Sequence, residues 1–80
     1  MKIVVEQNNK RIKITFQQNS VVGSYEIAKA EDFLGVLDRF IKKRKINFTV
    51  LKNPEFEFSN AGFLTERVIK AIVLGLGFHI

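Results

Sequence analysis

The sequence predicts an α/β domain with elements in the order βββαβα, its strands forming a mixed sheet in the order 3-2-1-4 with two helices. Three stretches carry this reading. From Lys10 to Gln17, Ile12, Ile14 and Phe16 alternate with Arg11, Lys13, Thr15 and Gln17, the period-two pattern of a strand with one wet face. From Glu31 to about Lys45 the period turns helical, with Phe33, Leu34, Val36, Leu37, Phe40 and Ile41 on a broad stripe. From Ser59 to Ile80 the chain is apolar almost all round a helix, and after Arg67 it carries one charge, Lys70.

Taken in order, Met1 to Gln7 is short and β-branched, and Gln7-Asn8-Asn9-Lys10 supplies residues that tight reversals prefer. Lys10 to Gln17 follows as the second strand, and Gln18-Asn19-Ser20 makes a second turn. Val21 to Ile27 is the third strand, with Val21, Tyr25 and Ile27 on one side and Gly23 marking a bulge or a close approach. In the first helix, Glu31 and Asp32 suit the N-terminal end of the dipole. Lys42-Lys43-Arg44-Lys45 suits the C-terminal end. Ile46 to Lys52 reads as the fourth strand, ended by Asn53-Pro54 because proline cannot donate to a ladder. Glu55 to Phe58 has no clear assignment, and Ser59 or Asn60 is the expected N-cap of the last helix. A strand-helix-strand unit is expected to be parallel and right-handed, which sets the fourth strand beside the first.

Eighty residues make one domain, 1–80, with no repeat, low-complexity segment or linker. A chain of this size buries only about 60% of its unfolded surface. It has no cysteine, which excludes disulfides and cysteine metal sites and fits a reducing, cytoplasmic setting. No apolar run follows a basic start, so no secretory signal is read. Thirteen Lys and Arg against eight Asp and Glu give a net charge of +5, which raises nucleic acid as a partner. That reading would use Lys10, Arg11, Lys13, Lys42, Lys43, Arg44 and Lys45.

The last helix is the feature that asks for a partner. At about 100° per residue, Val68, Ile69, Ala71, Ile72, Val73, Leu74 and Leu76 occupy every side except a narrow one around Lys70. A membrane span takes roughly 20 apolar residues, more than this stretch offers. The stripe on the first helix is likewise wider than one sheet face needs.

Support for catalysis is thin. His79 has no second His or Cys for a metal site. A two-metal nuclease needs carboxylates converging from several elements. Glu6, Glu31, Asp32, Asp38 and Glu66 have no spacing that marks them. Ser59-Asn60-Ala61-Gly62 has one glycine and reads as a helix cap, not a phosphate cradle. Arg67 is read as a contact across an interface or with the loop before its own helix, or as a surface residue paired with Glu66 or Glu57. Phe16, Phe33, Phe40, Phe48 and Phe63 are expected to face the core, which leaves no aromatic platform for bases. Phe56 and Phe58, alternating with Glu55 and Glu57, are expected as satellite core residues.

Phe63, Arg67, Val68, Ala71, Leu76, Gly77 and Phe78 match a loop-and-helix pattern of the form G-P-G-S-F-T-G-L-R followed by V-G-x-A-x-A-N-A-L-G. In this and in its element order the chain resembles the N-terminal subdomain of the bacterial TsaB (YeaZ) proteins. These are scaffold subunits in threonylcarbamoyladenosine synthesis on tRNA, with a glycoprotease-like, ribonuclease-H-like (actin-like ATPase) fold. SNAG takes the place of the glycine-rich loop and keeps only Gly62; Leu64 and Thr65 replace Thr and Gly. Glu6-Gln7-Asn8 stands where the family has Asp-Thr-Ser, and the family's second half is absent. The resemblance implies a shortened, divergent, non-catalytic subunit without cofactor. It implies pairing through the two helices with a TsaD-like transferase subunit or with a second copy as a homodimer, and tRNA as at most an indirect partner. Phe33, Leu37, Phe63, Arg67, Lys70, Val73 and Leu74 are the expected pairing residues.

Overall fold

The computed structural model describes residues 1–47 and 54–78, with side chains through residue 75. The strands β1 (Lys2–Asn8), β2 (Arg11–Gln18) and β3 (Val21–Ile27) form an antiparallel meander. Two-residue turns connect them at Asn9-Lys10 and Asn19-Ser20, and Asn9 and Asn19 both have φ 56. Asparagine tolerates this left-handed conformation better than most residues, which suits it to the turns. A single 3₁₀ turn, Ala30–Asp32, leads into α1 (Phe33–Arg44), followed by β4 (Glu55–Ser59) and α2 (Phe63–Phe78). The sheet order is β3-β2-β1-β4, with β4 parallel to β1, as the sequence predicts.

The fourth strand is not the expected segment. Ile46 and Asn47 lie outside any strand, and the rest of the Ile46 to Lys52 reading falls outside the described residues. The strand that pairs with β1 is Glu55–Ser59, in the register Ile3↔Phe56 and Val5↔Phe58. Its alternation places Phe56 and Phe58 half-buried against the core, with rings stacked at 5.7 Å. Glu57 falls on the other side of the sheet, where its carboxylate meets the Lys2 ammonium at 3.1 Å.

Both helices cover the same sheet face. Ile3 and Val5 of β1, Ile12, Ile14 and Phe16 of β2, and Ile27 of β3 form one contiguous core with Phe33, Val36, Leu37, Phe40 and Ile41 of α1 and Ile69 and Val73 of α2. Each large side chain buried this way contributes about 1.5–3 kcal/mol. Phe16 is the centre of an aromatic group, 5.1 Å from Phe40, 5.7 Å from Phe33 and 5.9 Å from Tyr25. Gly23 lies opposite Phe16 in register, and a Cβ there would stand 2.7 Å from two Phe40 ring atoms. Of the two expectations for Gly23, close approach is the one observed; the register runs through it without a bulge.

The helix ends refine the expected caps. The Lys45 N–H donates to Lys42 and Ile41, and the Ile46 N–H to Ile41, while Lys45 takes φ 54. This is a left-handed C-terminal cap with lysine where glycine is usual. At the start of α2, Ser59 belongs to β4 and Asn60 turns the chain at φ 56, so neither caps the helix as expected. The first helical bond runs from the Glu66 N–H to the Gly62 carbonyl. The free Gly62 N–H donates instead to Gln7 Oε1 at 3.0 Å, and the Thr65 hydroxyl donates to the same oxygen at 3.3 Å. A side chain at the end of β1 thus supplies the cap.

Candidate interaction surface

On α2, Ile69 and Val73 point into the core. Half a turn away, Phe63, Leu64 and Leu74 are 74%, 73% and 54% exposed, with Arg67 and Ala71 among them. The flanks of α2 differ in their neighbours. On one side the Lys70 ammonium lies 5.4 Å from the centre of the Phe58 ring of β4 and 2.8 Å from the Glu66 carboxylate. Val68 and Ile72 are on the other flank, away from β4 and toward α1. On α1, Leu34 and Asp38 fall on the flank opposite the side that packs on β3, and Leu34 is 46% exposed. Apolar side chains at least partly exposed on the helix layer are thus Leu34 on α1 and Phe63, Leu64, Val68, Ala71 and Leu74 on α2.

Two shallow hollows lie in this layer. One, of about 500 Å³, is lined by Glu31, Asp32, Leu34, Gly35 and Asp38. The other, of about 340 Å³, is lined by Leu64, Arg67, Val68 and Ala71. The α1 hollow has an acidic rim, and the α2 hollow carries a guanidinium.

The seven expected pairing residues divide sharply. Phe33, Leu37 and Val73 are fully buried in the chain's own core, so a partner of the folded chain does not reach them. Apart from Leu34, the wide stripe on α1 is consumed by the sheet and by its Phe16 cluster. Phe63, Arg67, Lys70 and Leu74 remain at or near the surface. Phe63, also expected in the core, begins α2 on its outer side. The Arg67 guanidinium stands 5.6 Å from the centre of its ring. Arg67 pairs with neither Glu66 nor Glu57, since Lys70 takes the first and Lys2 the second. Leu34, Leu64, Val68 and Ala71 belong to the surface although their sequence positions did not single them out. Their signal was the helical wheel, which becomes readable only once the core side of each helix is known.

No known protein family, curated protein or solved structure matches this chain.

The seven basic residues of the nucleic-acid reading do not come together. Lys10 and Arg11 sit at the β1–β2 turn, whereas α1 runs back to the opposite end of the sheet before Lys42-Lys43-Arg44-Lys45. Seven residues of strand, about 23 Å, lie between those ends. Arg11 and Lys13 are on the uncovered sheet face among carboxylates: Glu6 and Glu26 are register neighbours of Lys13, and Arg11 contacts Glu26 at 3.7 Å. That face carries Lys2, Arg11 and Lys13 against Glu6, Glu26, Glu55 and Glu57, which is not a basic footprint. Lys42 is paired with Asp38 at 3.1 Å, and the cluster ends α1 as the dipole reading expected.

The carboxylates also stay apart. Glu6 is on the uncovered face, while Glu31, Asp32, Asp38 and Glu66 are on the helix side. Among the described residues no three His, Cys, Asp or Glu side chains form a metal-holding group. Among them, too, no helix is long and apolar enough to cross a membrane. His79 and Phe48 lie outside the described residues.

Proposed function

We propose that this chain is a non-catalytic interaction subunit that docks through the outer surface of α1 and α2, in the manner its resemblance to TsaB implies. The observation that carries the reading is the set of exposed apolar side chains on the helix layer, Phe63, Leu64 and Leu74 on α2 and Leu34 on α1. From their exposures these four side chains present on the order of 400–500 Å² of apolar area, and a standard interface covers about 800 Å² per partner with roughly 57% of it apolar. Four residues thus account for most of the apolar share one such interface needs.

The sheet order β3-β2-β1-β4, with both helices on one face, accords with the first half of a ribonuclease-H-like fold. On this reading the partner is a TsaD-like transferase subunit or a second copy, and the role in tRNA modification is indirect. The test is molar mass in solution by light scattering, alone and mixed with a TsaD-type subunit. With β3 pairing blocked by Val22→Lys, a 1:1 complex or a homodimer, lost on adding Leu64→Glu or Leu74→Glu, is expected. A monomer under both conditions sinks the proposal.

A further inference from the structure

β3 is an edge of the sheet, with β2 on one side and no strand on the other among the described residues. Its backbone polarity follows from the turn before it. Gln18 and Val21 flank the two-residue loop Asn19-Ser20 and form the closing pair. Residues flanking such a loop exchange both backbone hydrogen bonds, and bonded and non-bonded pairs then alternate along the strands. Val21, Gly23, Tyr25 and Ile27 therefore turn their N–H and C=O groups toward β2. Val22, Ser24 and Glu26 turn theirs outward.

An outward row of this kind is a template for another strand, and proteins block it with proline, lysine, a bulge or a short edge. β3 has none of these. It runs for seven residues without proline or lysine, and its register to β2 is unbroken. Its single charge, Glu26, is drawn to Arg11 of β2. Val22 is 51% exposed beside it. Gly23 cannot carry a blocking side chain on the core side, because Phe40 fills that space.

We propose that β3 pairs antiparallel with β3 of a second copy, about a twofold axis through Ser24, to make one continuous eight-stranded sheet. The axis position follows from the strand. Outward-facing residues must oppose outward-facing ones, and among the axes that allow this the one through Ser24, the midpoint of β3, brings all seven residues into register. Val21 then lies opposite Ile27 of the second copy, Val22 opposite Glu26 and Gly23 opposite Tyr25. The pairing satisfies about six outward backbone groups on each copy. It also sets an aromatic ring across from a glycine, an arrangement that steadies glycine positions in sheets. This pairing uses a different surface from the helix layer and does not rest on the reading above.

The experiment is light scattering of the full chain from micromolar to millimolar concentration, with Ser24→Pro and Val22→Lys. Proline at position 24 removes only an outward N–H, which β2 does not use. The parent is expected to reach dimer mass, and both variants to stay monomeric with the parent's circular dichroism. Where Ser24→Pro fails to fold, Val22→Lys and a cross-link decide. Ser24→Cys is then the sole cysteine of the chain. In the twofold pair its Cα lies about 5.5 Å from its mate, within disulfide reach. Ser24→Cys is expected to form a linked dimer on mild oxidation, and Val22→Cys, which faces Glu26, to form far less. A monomer at every concentration, equal cross-linking of the two variants, or a dimer dissolved by Leu74→Glu but not by Val22→Lys overturns the proposal.

Discussion

Val73 and Leu74 are adjacent, yet Val73 is 0% exposed and Leu74 is 54% exposed, so the same substitution at the two positions separates folding from assembly. Burying a whole leucine side chain contributes about 1.5–3 kcal/mol, so covering the exposed half of Leu74 contributes about 1–1.5 kcal/mol. A carboxylate placed there and desolvated without a partner adds a penalty of a few kcal/mol. Together these reach about 3–4 kcal/mol, a weakening of assembly by roughly several hundred-fold at 1.4 kcal/mol per tenfold. The isolated chain should be changed by no more than about 0.5 kcal/mol, the usual range at a surface position. In Val73→Glu the carboxylate enters the core, where no partner awaits it. Total stability for 80 residues is about 4–12 kcal/mol, so this change should unfold most of the population. Urea denaturation and light scattering on both variants give the answer. The reasoning fails if Leu74→Glu still assembles when β3 pairing is blocked by Val22→Lys, or if it unfolds as readily as Val73→Glu.

Further consequences follow from the packing and the caps. Gly23→Ala forces a methyl against the Phe40 ring, which is stacked with Phe16 at 5.1 Å, and should cost about 1–3 kcal/mol. Phe40→Leu in the same chain should recover part of that loss, read as a coupling in a double-mutant cycle. Lys45→Gly relieves the left-handed cap and should stabilise by about 0.5–1 kcal/mol, raising Tm by a few degrees in a thermal melt. Gln7→Ala removes the acceptor shared by Gly62 and Thr65 and should cost about 0.5–2 kcal/mol. Hydrogen exchange should then rise in the first turn of α2, and unchanged protection there would count against the cap.

What the sequence made legible was local. The alternation in β2 needed no context, because one strand with one buried face declares itself by its own period. The strand order also came through, since handedness constrains a strand-helix-strand unit. The identity of β4 did not. Ile46 to Lys52 is richer in β-branched residues than Glu55–Ser59, whose two glutamates lower its propensity, and only pairing with β1 makes a strand of it. The cap on α2 was unreadable for the same reason: Gln7 and Gly62 are 55 positions apart. In α2 itself the all-round apolarity hid which side faces the sheet. Val73 was therefore grouped with Leu74, and Phe63 was expected both in the core and at a partner surface. Phe33, expected both in the core and at a partner surface, and Leu37, expected at a partner surface, are both core residues, and the aromatic cluster around Phe16 accounts for most of the width of the α1 stripe.

The position of β1 has a consequence for how the chain is made. It leaves the ribosome before β2, β3 and β4, yet it is interior to the sheet, and its second neighbour begins with Glu55, 53 positions after its partner Lys2. Until that segment emerges, one edge of β1 has no strand beside it, and the core face of the meander lacks Ile69 and Val73. Long-range pairings of this kind slow folding and leave apolar surface open in the interval. The nascent meander is thus the species most exposed to wrong association. The parallel pairing of β4 with β1, pinned where the start of α2 bonds to Gln7 of β1, is the late step that ends that exposure.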